Sequence, residues 1–525
     1  MSKAVVIGTG AGGLAAAIGL AEQGHDVVAL EAAKQLGGFL NPFARRHYHF
    51  DPGVHYIGQL GPGQSMTLTL EKLGLDAQQL FCPMDDDCLD MIRFPGLEVR
   101  VPKGIDNYRQ RLRSQFPEDK GDIDKLFKVL KRFDRVSNFI SRKTIGASRR
   151  IGDLGAVTGL SFAAKWLERS FAELLAEYIK NPELRSVLAG QCGDYALPPS
   201  RTPAVLGMGL MMHYASGAWF PRGGSGVFRD ALVERGRSLG ASYRRRAAVA
   251  SIELDNGRVS GVTLTTGERI DADIVVSAID PTLTLGKLLP EGTLSERLQT
   301  KVDNTESSVG SVCVFLGMQR DLSKHGLGAF NVWDYPHFDL ERLYAPAFEG
   351  KIPEEWFFFL SPNSLKDDSN SMAPAGGSTL EVVTLCPHAP FAQWADSKSF
   401  KRGDDYNQLK DEVAAQLMGA VEDRWPGLVG DVVVEEVASP LTNTHYAGAV
   451  EGAAYGPAAT LDQYGRRRFR TKAPVEGLYL AGAGVYGGGV APCLMSGIAA
   501  ARKVLAERPA AVSVVSPSPD PQGAT

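Results

Sequence analysis

Two glycine-rich segments near opposite ends of the chain constrain the fold most: GTGAGG at residues 8–13 and GLYLAGAG at residues 477–484. The first has the context that gives a Gly-x-Gly-x-x-Gly pattern its meaning. An apolar strand-like run, residues 4–7, precedes it, and an alanine-rich helical run, residues 14–23, follows and is ended by Gly24. In such a unit Gly8 permits a tight turn, Gly10 lets backbone N–H groups approach a pyrophosphate, and Gly13 lets the helix pack closely on its strand. The helix N-terminus, with its unpaired donors and positive dipole end, faces the phosphates, and Ala11 and Gly12 are expected cofactor contacts beside it. A second strand, residues 26–30, stops at Glu31, followed by Ala32. A carboxylate there accepts from both hydroxyls of an adenosine ribose and repels a 2′-phosphate, so the site suits FAD or NAD better than NADP.

The next segment, EAAKQLGGFL, places Gly37 and Gly38 shortly after Glu31. This spacing resembles the FAD-binding amine oxidase and phytoene desaturase superfamily, where a second glycine pair meets the FAD phosphates and is often followed by arginine. Phe39 stands where that arginine would be, leaving backbone donors to hold the anion. Four further stretches carry a closer resemblance: FDPGVHYIGQL (50–60), QCGDYALPPSRTPAVLGMGLMMHYASGAWFPRGGS (191–225), SPLTNTHYAGAVEGAAYG (439–456) and GLYLAGAGVYGGGVAPCLMSG (477–497). In order over nearly the whole chain, they resemble retinol saturase and the related carotenoid isomerases and desaturases.

That resemblance implies an α/β fold of amine oxidase type: a three-layer ββα, Rossmann-like FAD-binding domain with an inserted α+β substrate-binding domain. The implied division is discontinuous, with residues 1–70, 216–300 and 438–507 holding FAD, residues 71–215 and 301–437 holding substrate, and 508–525 a disordered tail. The runs on either side of Asp255, Asn256 and Gly257 read as a hairpin, and the superfamily meets the adenine through a residue like Val249. His55, Gly482, Ala483, Gly489 and Val490 are the other expected FAD contacts. A helix from about Val490 would aim its N-terminus at the flavin N1/O2 edge and stabilise the anionic reduced ring. Arg222 is expected to pair with an anion or a polar substrate head.

Composition fits an enzyme of this kind. The 525 residues are 44% hydrophobic and 22% charged, enough for two or three structural units. A formal charge of −4 and the lack of a basic stripe interleaved with aromatics argue against nucleic acid. Six dispersed cysteines without a CxxC favour a reducing, cytoplasmic setting over disulfides or metal. His47, His49 and His55 beside Asp51 read as a strand–turn–strand pattern with two rings on one sheet face, so no metal is expected. The apolar run over residues 4–20 is punctuated by glycine and too short to span a bilayer.

Asp194, Tyr195, His213, Tyr214, His445, Tyr446 and Tyr455 are the polar residues of the family-like stretches, and Tyr195, His213 and His445 are taken as candidate proton donors complementing a hydride at flavin N5. Residues 125–150 carry nine Lys/Arg and one acid, with apolar residues at helical spacing, a pattern suited to peripheral docking on an anionic bilayer. The expected function is FAD-dependent saturation or desaturation of a C–C bond in an apolar polyene, isoprenoid or acyl chain, with the electron donor or acceptor unspecified. The alternatives are redox-neutral carotenoid isomerisation, amine oxidation, and a non-enzymatic prenyl-lipid escort role.

Overall fold

The computed structural model describes residues 2–146 and 164–507. The expected tail, 508–525, and the end of the basic segment, 147–150, lie outside the described residues.

The first two strands of the chain seed a five-stranded parallel sheet ordered Ser242–Arg244, Asp26–Leu30, Lys3–Ile7, Ile274–Ser277, Leu478–Leu480. Parallel strands are covered on both faces, and Lys3–Ile7 divides its side chains accordingly. Ala4 and Val6 pack with Ala16, Ala17 and Leu20 of the helix Ala11–Glu22 and with Ala500, Ala501 and Val504 of the helix Val490–Glu507. Val5 and Ile7 face the other way, onto Ile252, Val262 and Leu264 of an antiparallel sheet formed by Val249–Asp255, Arg258–Leu264 and Arg269–Asp271. The result is the expected ββα sandwich. Asn256 and Gly257, at φ 50° and 78°, make the turn between the first two of those antiparallel strands.

A second sheet has seven strands, ordered Val432–Ala438, Gly310–Met318, Ser378–Cys386, Phe358–Ser361, Asn331–Asp334, Asp90–Phe94, Leu97–Val101. All its pairings are antiparallel except Asn331–Asp334 with Asp90–Phe94. Val312, Val314, Leu316, Leu380 and Val382 pack against Val413, Leu417 and Val421 of the helix Asp404–Arg424. Ile92, Phe94, Trp333, Phe357 and Phe359 instead join a large aromatic-rich core with the helices Lys120–Ile145, Phe171–Tyr178 and Ala204–Tyr214.

The basic amphipathic segment packs its apolar stripe into the protein. Leu126, Leu130, Phe133 and Val136 are buried in that core, and Lys131 and Lys125 pair with Asp106 and Asp122. Ile140 is the exposed large apolar residue of this helix. No helix among the described residues is long and apolar enough to cross a membrane.

Candidate active site

The glycine segments converge as a cradle. Gly13 is needed because any side chain there would overlap the Gly8 carbonyl, while a Cβ at Gly10 would meet nothing within 4 Å. Open space therefore stands over Gly10, at the start of a helix that no side chain caps and that has no acid in its first turn. The Gly37 N–H donates to the Thr9 hydroxyl at 3.1 Å, and a Cβ on Gly38 would sit 3.4 Å from the Gly10 Cα. Gly12 touches the backbone of Gly482, and the Gly482 N–H is fixed by Ser496 Oγ at 2.7 Å. Backbone donors, an uncapped helix end and a space with no Cβ projecting into it are what a dinucleotide pyrophosphate requires.

Glu31, expected at the adenosine end, is fixed by its neighbours. Its Oε2 accepts from the Thr9 N–H at 3.1 Å and the Thr9 hydroxyl at 2.6 Å, and its Oε1 accepts from the Ala33 N–H at 2.9 Å. One further hydrogen bond to a ribose hydroxyl remains open to the Oε1 oxygen. The Ala247 N–H donates to the Glu31 carbonyl at 2.8 Å, two residues before Val249 begins its strand. Phe39 contributes its backbone: its carbonyl fills the space a side chain on Gly53 would need, holding the segment that leads to His55.

His55 lies at the seam between the two sheets. Its Nε2 is 2.9 Å from Glu381 Oε2, and its carbonyl accepts from Lys366 Nζ at 2.7 Å. Lys366 also donates to Asn331 Oδ1 and Ser361 Oγ, so its three protons are committed. Burial pulls the Lys366 pKa down to about 7, against the pull of Glu381, Asp90 and Asp51. Asp51 accepts from the N–H and hydroxyl of Ser225, and burial pushes its pKa up to about 7. The histidine cluster is not assembled as a metal site: His47 lies in a turn at φ 90°, while His55 and Asp51 serve Glu381 and Ser225. Cys82, Asp367 and Asp368 do present ligand atoms within 4.8 Å of one another. Asp367, however, accepts from Gly223, Ser369 and Ser371. Asp368 binds Arg222 at 2.8 and 3.0 Å. Arg222 is thus held by Asp368 and the carbonyls of Gln78 and Gln79, not free for an anion as its sequence context suggested.

The three candidate proton donors lie apart. Tyr195 is buried with its hydroxyl 3.1 Å from Cys192 Sγ. His213 Nε2 accepts the Gly58 N–H at 2.9 Å, and burial pushes its pKa down to about 4, leaving a neutral ring that props the Gly58 backbone. His445 is exposed, edge-on to Phe400 and Tyr446.

A different group is assembled. The Tyr56 hydroxyl donates to Asp194 Oδ2 at 2.7 Å, and the Tyr56 and Tyr214 rings stack at 4.1 Å and 5°. Asp194 is half-buried by area but enclosed by protein. Burial and then the Asp90 carboxylate push its pKa up to about 8, while the Tyr56 and Tyr214 hydroxyls favour the ionised form. Tyr455 is near enough for the Asp194 charge to raise its phenol further, after burial. On its other side Tyr455 packs where a side chain on Gly488 would stand, 2.6 Å from its Cβ. Tyr455 therefore links Asp194 to the C-terminal glycine loop. Phe359 adds an apolar wall, edge-on to His55 at 5.1 Å and against Trp333 at 4.5 Å. Residue type had marked Asp194, Tyr214 and Tyr455, whereas Tyr56 was missed, although it lies in the FDPGVHYIGQL stretch.

Residues 11–505 match the family of flavin containing amine oxidoreductases, and the chain belongs to that family. It is an FAD-dependent oxidoreductase. It is 28% identical over 522 residues to the all-trans-retinol 13,14-reductase of Rattus norvegicus, covering 96% of this chain and 85% of that protein. The chloroplastic prolycopene isomerase of Daucus carota is 25% identical over 512 residues, covering 96% of this chain and 80% of the isomerase. An oxidoreductase from Methanosarcina mazei shares the fold, with a TM-score of 0.64 at 15% identity, over 95% of this chain and all of that one.

Proposed function

We propose that the enzyme saturates a C–C double bond in an extended apolar polyene, isoprenoid or acyl chain, with Asp194 as the proton donor. The observation that carries this reading is the enclosed Asp194 carboxyl, whose pKa burial raises to about 8, held by the Tyr56 hydroxyl on the side where Tyr455 reaches Gly488. A carboxylic acid kept neutral by burial can release its proton to a carbon centre. FAD bound over Gly10 would supply hydride exchange at its N5. Tyr56 orients the acid, the Tyr56–Tyr214 stack fixes Tyr56, and Phe359 and Trp333 exclude water. With the flavin in its reduced form as the hydride source for one carbon, Asp194 would give its proton to the other carbon of the double bond, and solvent would later restore it.

Apolar contact is the natural source of affinity here, at about 0.8 kcal/mol per buried CH₂. Names of relatives that act on retinol and prolycopene agree with such a substrate. Lys366 has no proton left for the role of a lysine beside the flavin, which weighs against amine oxidation. The cofactor half is proposed to comprise residues 1–70, 216–300 and 438–507, and the substrate half 71–215 and 301–437. The test is anaerobic incubation of photoreduced enzyme with a panel of polyenes, unsaturated lipids and primary amines, read by mass. A gain of two hydrogens supports saturation, an altered retention time at constant mass supports isomerisation, and turnover of amines alone defeats the proposal.

A further inference from the structure

Two adjoining clefts, of about 470 and 740 Å³, are both lined by Arg297, Lys301, Arg466 and Arg468. Arg470 and Lys472 line the larger one. None of the expected flavin contacts lines either cleft. Helix Glu296–Asp303 supplies Arg297 and Lys301, and the chain before the last sheet strand supplies the rest. Their charge is poorly balanced. Asp462 lines the smaller cleft and Lys472 pairs with Glu507 at 3.0 Å, but among the described residues no carboxylate is within ion-pair distance of Arg297, Arg466 or Arg470, and Lys301 donates to the Arg468 carbonyl at 3.0 Å. The Arg297, Arg468 and Arg470 charges add to burial in pulling the Lys301 pKa down, as crowded cations without an anion must.

Arg468 sharpens the point. It is 5% exposed, its Nη atoms donate to the carbonyls of Ala458, Pro457 and Ala483, and its Nε has no partner. The Asp280 carboxylate acts on the Arg468 charge but accepts no hydrogen bond from it, and a buried guanidinium with an unsatisfied N–H is costly unless something anionic completes it. Both clefts fall in the range of small-molecule sites, which favours a compact ligand over a flat protein surface. Planar guanidinium groups match phosphate oxygens in pairs.

We propose that this cleft binds a small polyphosphate anion of the nucleotide class, recognised through its phosphates by Arg297, Arg466 and Arg468. Arg468 also holds the Ala483 carbonyl at 2.6 Å, so occupancy bears on the loop expected to contact the flavin. That coupling rests on the flavin reading, whereas the binding does not.

The test is calorimetric titration of the FAD-loaded full-length protein with inorganic pyrophosphate and with ADP, at matched ionic strength. Sulfate serves as a control, and vesicles bearing phosphoinositide headgroups form a separate arm. Saturable binding in the micromolar range is expected, weakened at least about tenfold in the Arg297→Gln/Arg466→Gln double variant. That variant should keep normal flavin content and an unchanged visible spectrum, which separates this site from the cofactor site. A spectral shift of the wild-type flavin on adding pyrophosphate would report the link through Ala483. Absence of saturable binding, equal binding by the double variant or by sulfate, or binding to vesicles alone would overturn the proposal.

Discussion

Gly12 and Gly482 meet backbone to backbone: a Cβ on Gly12 would stand 2.9 Å from both the Cα and the N of Gly482. The contact joins the first helix of the chain to the loop after its last sheet strand. Gly12→Ala must therefore separate them, because both of these neighbours are main-chain atoms and cannot swing aside. We expect the variant to fold but lose flavin on gel filtration, with retention rescued only by excess FAD. Stoichiometric flavin after purification would show that the two segments need not touch.

Glu31→Ala removes the acceptor of Thr9 and Ala33 as well as that offered to a ribose. Loss of hydrogen bonds to a charged group predicts FAD binding weaker by about 1.5–3 kcal/mol. Flavin dissociation followed by fluorescence should show this, and an unchanged Kd would remove Glu31 from the site.

Gly489 has φ 97°, a left-handed conformation, while the nearest atom to a Cβ there is Pro492 Cδ at 3.8 Å. Strain rather than a clash is the penalty for a β-branched side chain. Gly489→Val should keep the fold by circular dichroism and lose flavin or turnover. Gly489→Ala, strained but smaller, should lie between valine and wild type, and normal flavin and turnover in the valine variant would place the loop away from the ring.

The cofactor half was legible in the sequence because its requirements are local. Gly8, Gly10, Gly13 and Glu31 act within one strand–helix–strand unit, and even Phe39, an unfamiliar residue, works there through its backbone carbonyl. The proposed catalytic cluster was not legible in this way. Tyr56, Asp194, Tyr214 and Tyr455 come from four separate stretches, and what distinguishes Asp194 is its enclosure, which residue type does not report. By type alone His213 was an equal candidate, until the Gly58 N–H on its ring nitrogen revealed a backbone prop. Helical periodicity could not separate a core-facing stripe from a membrane-facing one in Lys120–Ile145, since both need the same spacing of Leu126, Leu130 and Phe133.

Tyr56→Phe tests the orienting contact. The Tyr56 hydroxyl favours ionised Asp194, so its removal should raise that pKa and move the alkaline limb of the rate profile upward. A merely structural tyrosine would change the rate without moving the limb.

Asp194 decides the account. Its pKa is raised to about 8 by burial, so the proton-bearing form prevails below that pH and is lost above it. The most direct measurement is the single-turnover reoxidation of reduced enzyme by an apolar polyene substrate across pH 6–10, in wild type and in Asp194→Asn. The wild-type rate should fall above about pH 8, and the variant should keep its flavin yet react about 10²–10⁴-fold more slowly with a flat profile. An Asp194→Asn enzyme that saturates the polyene at the wild-type rate, with the same alkaline limb, would contradict it.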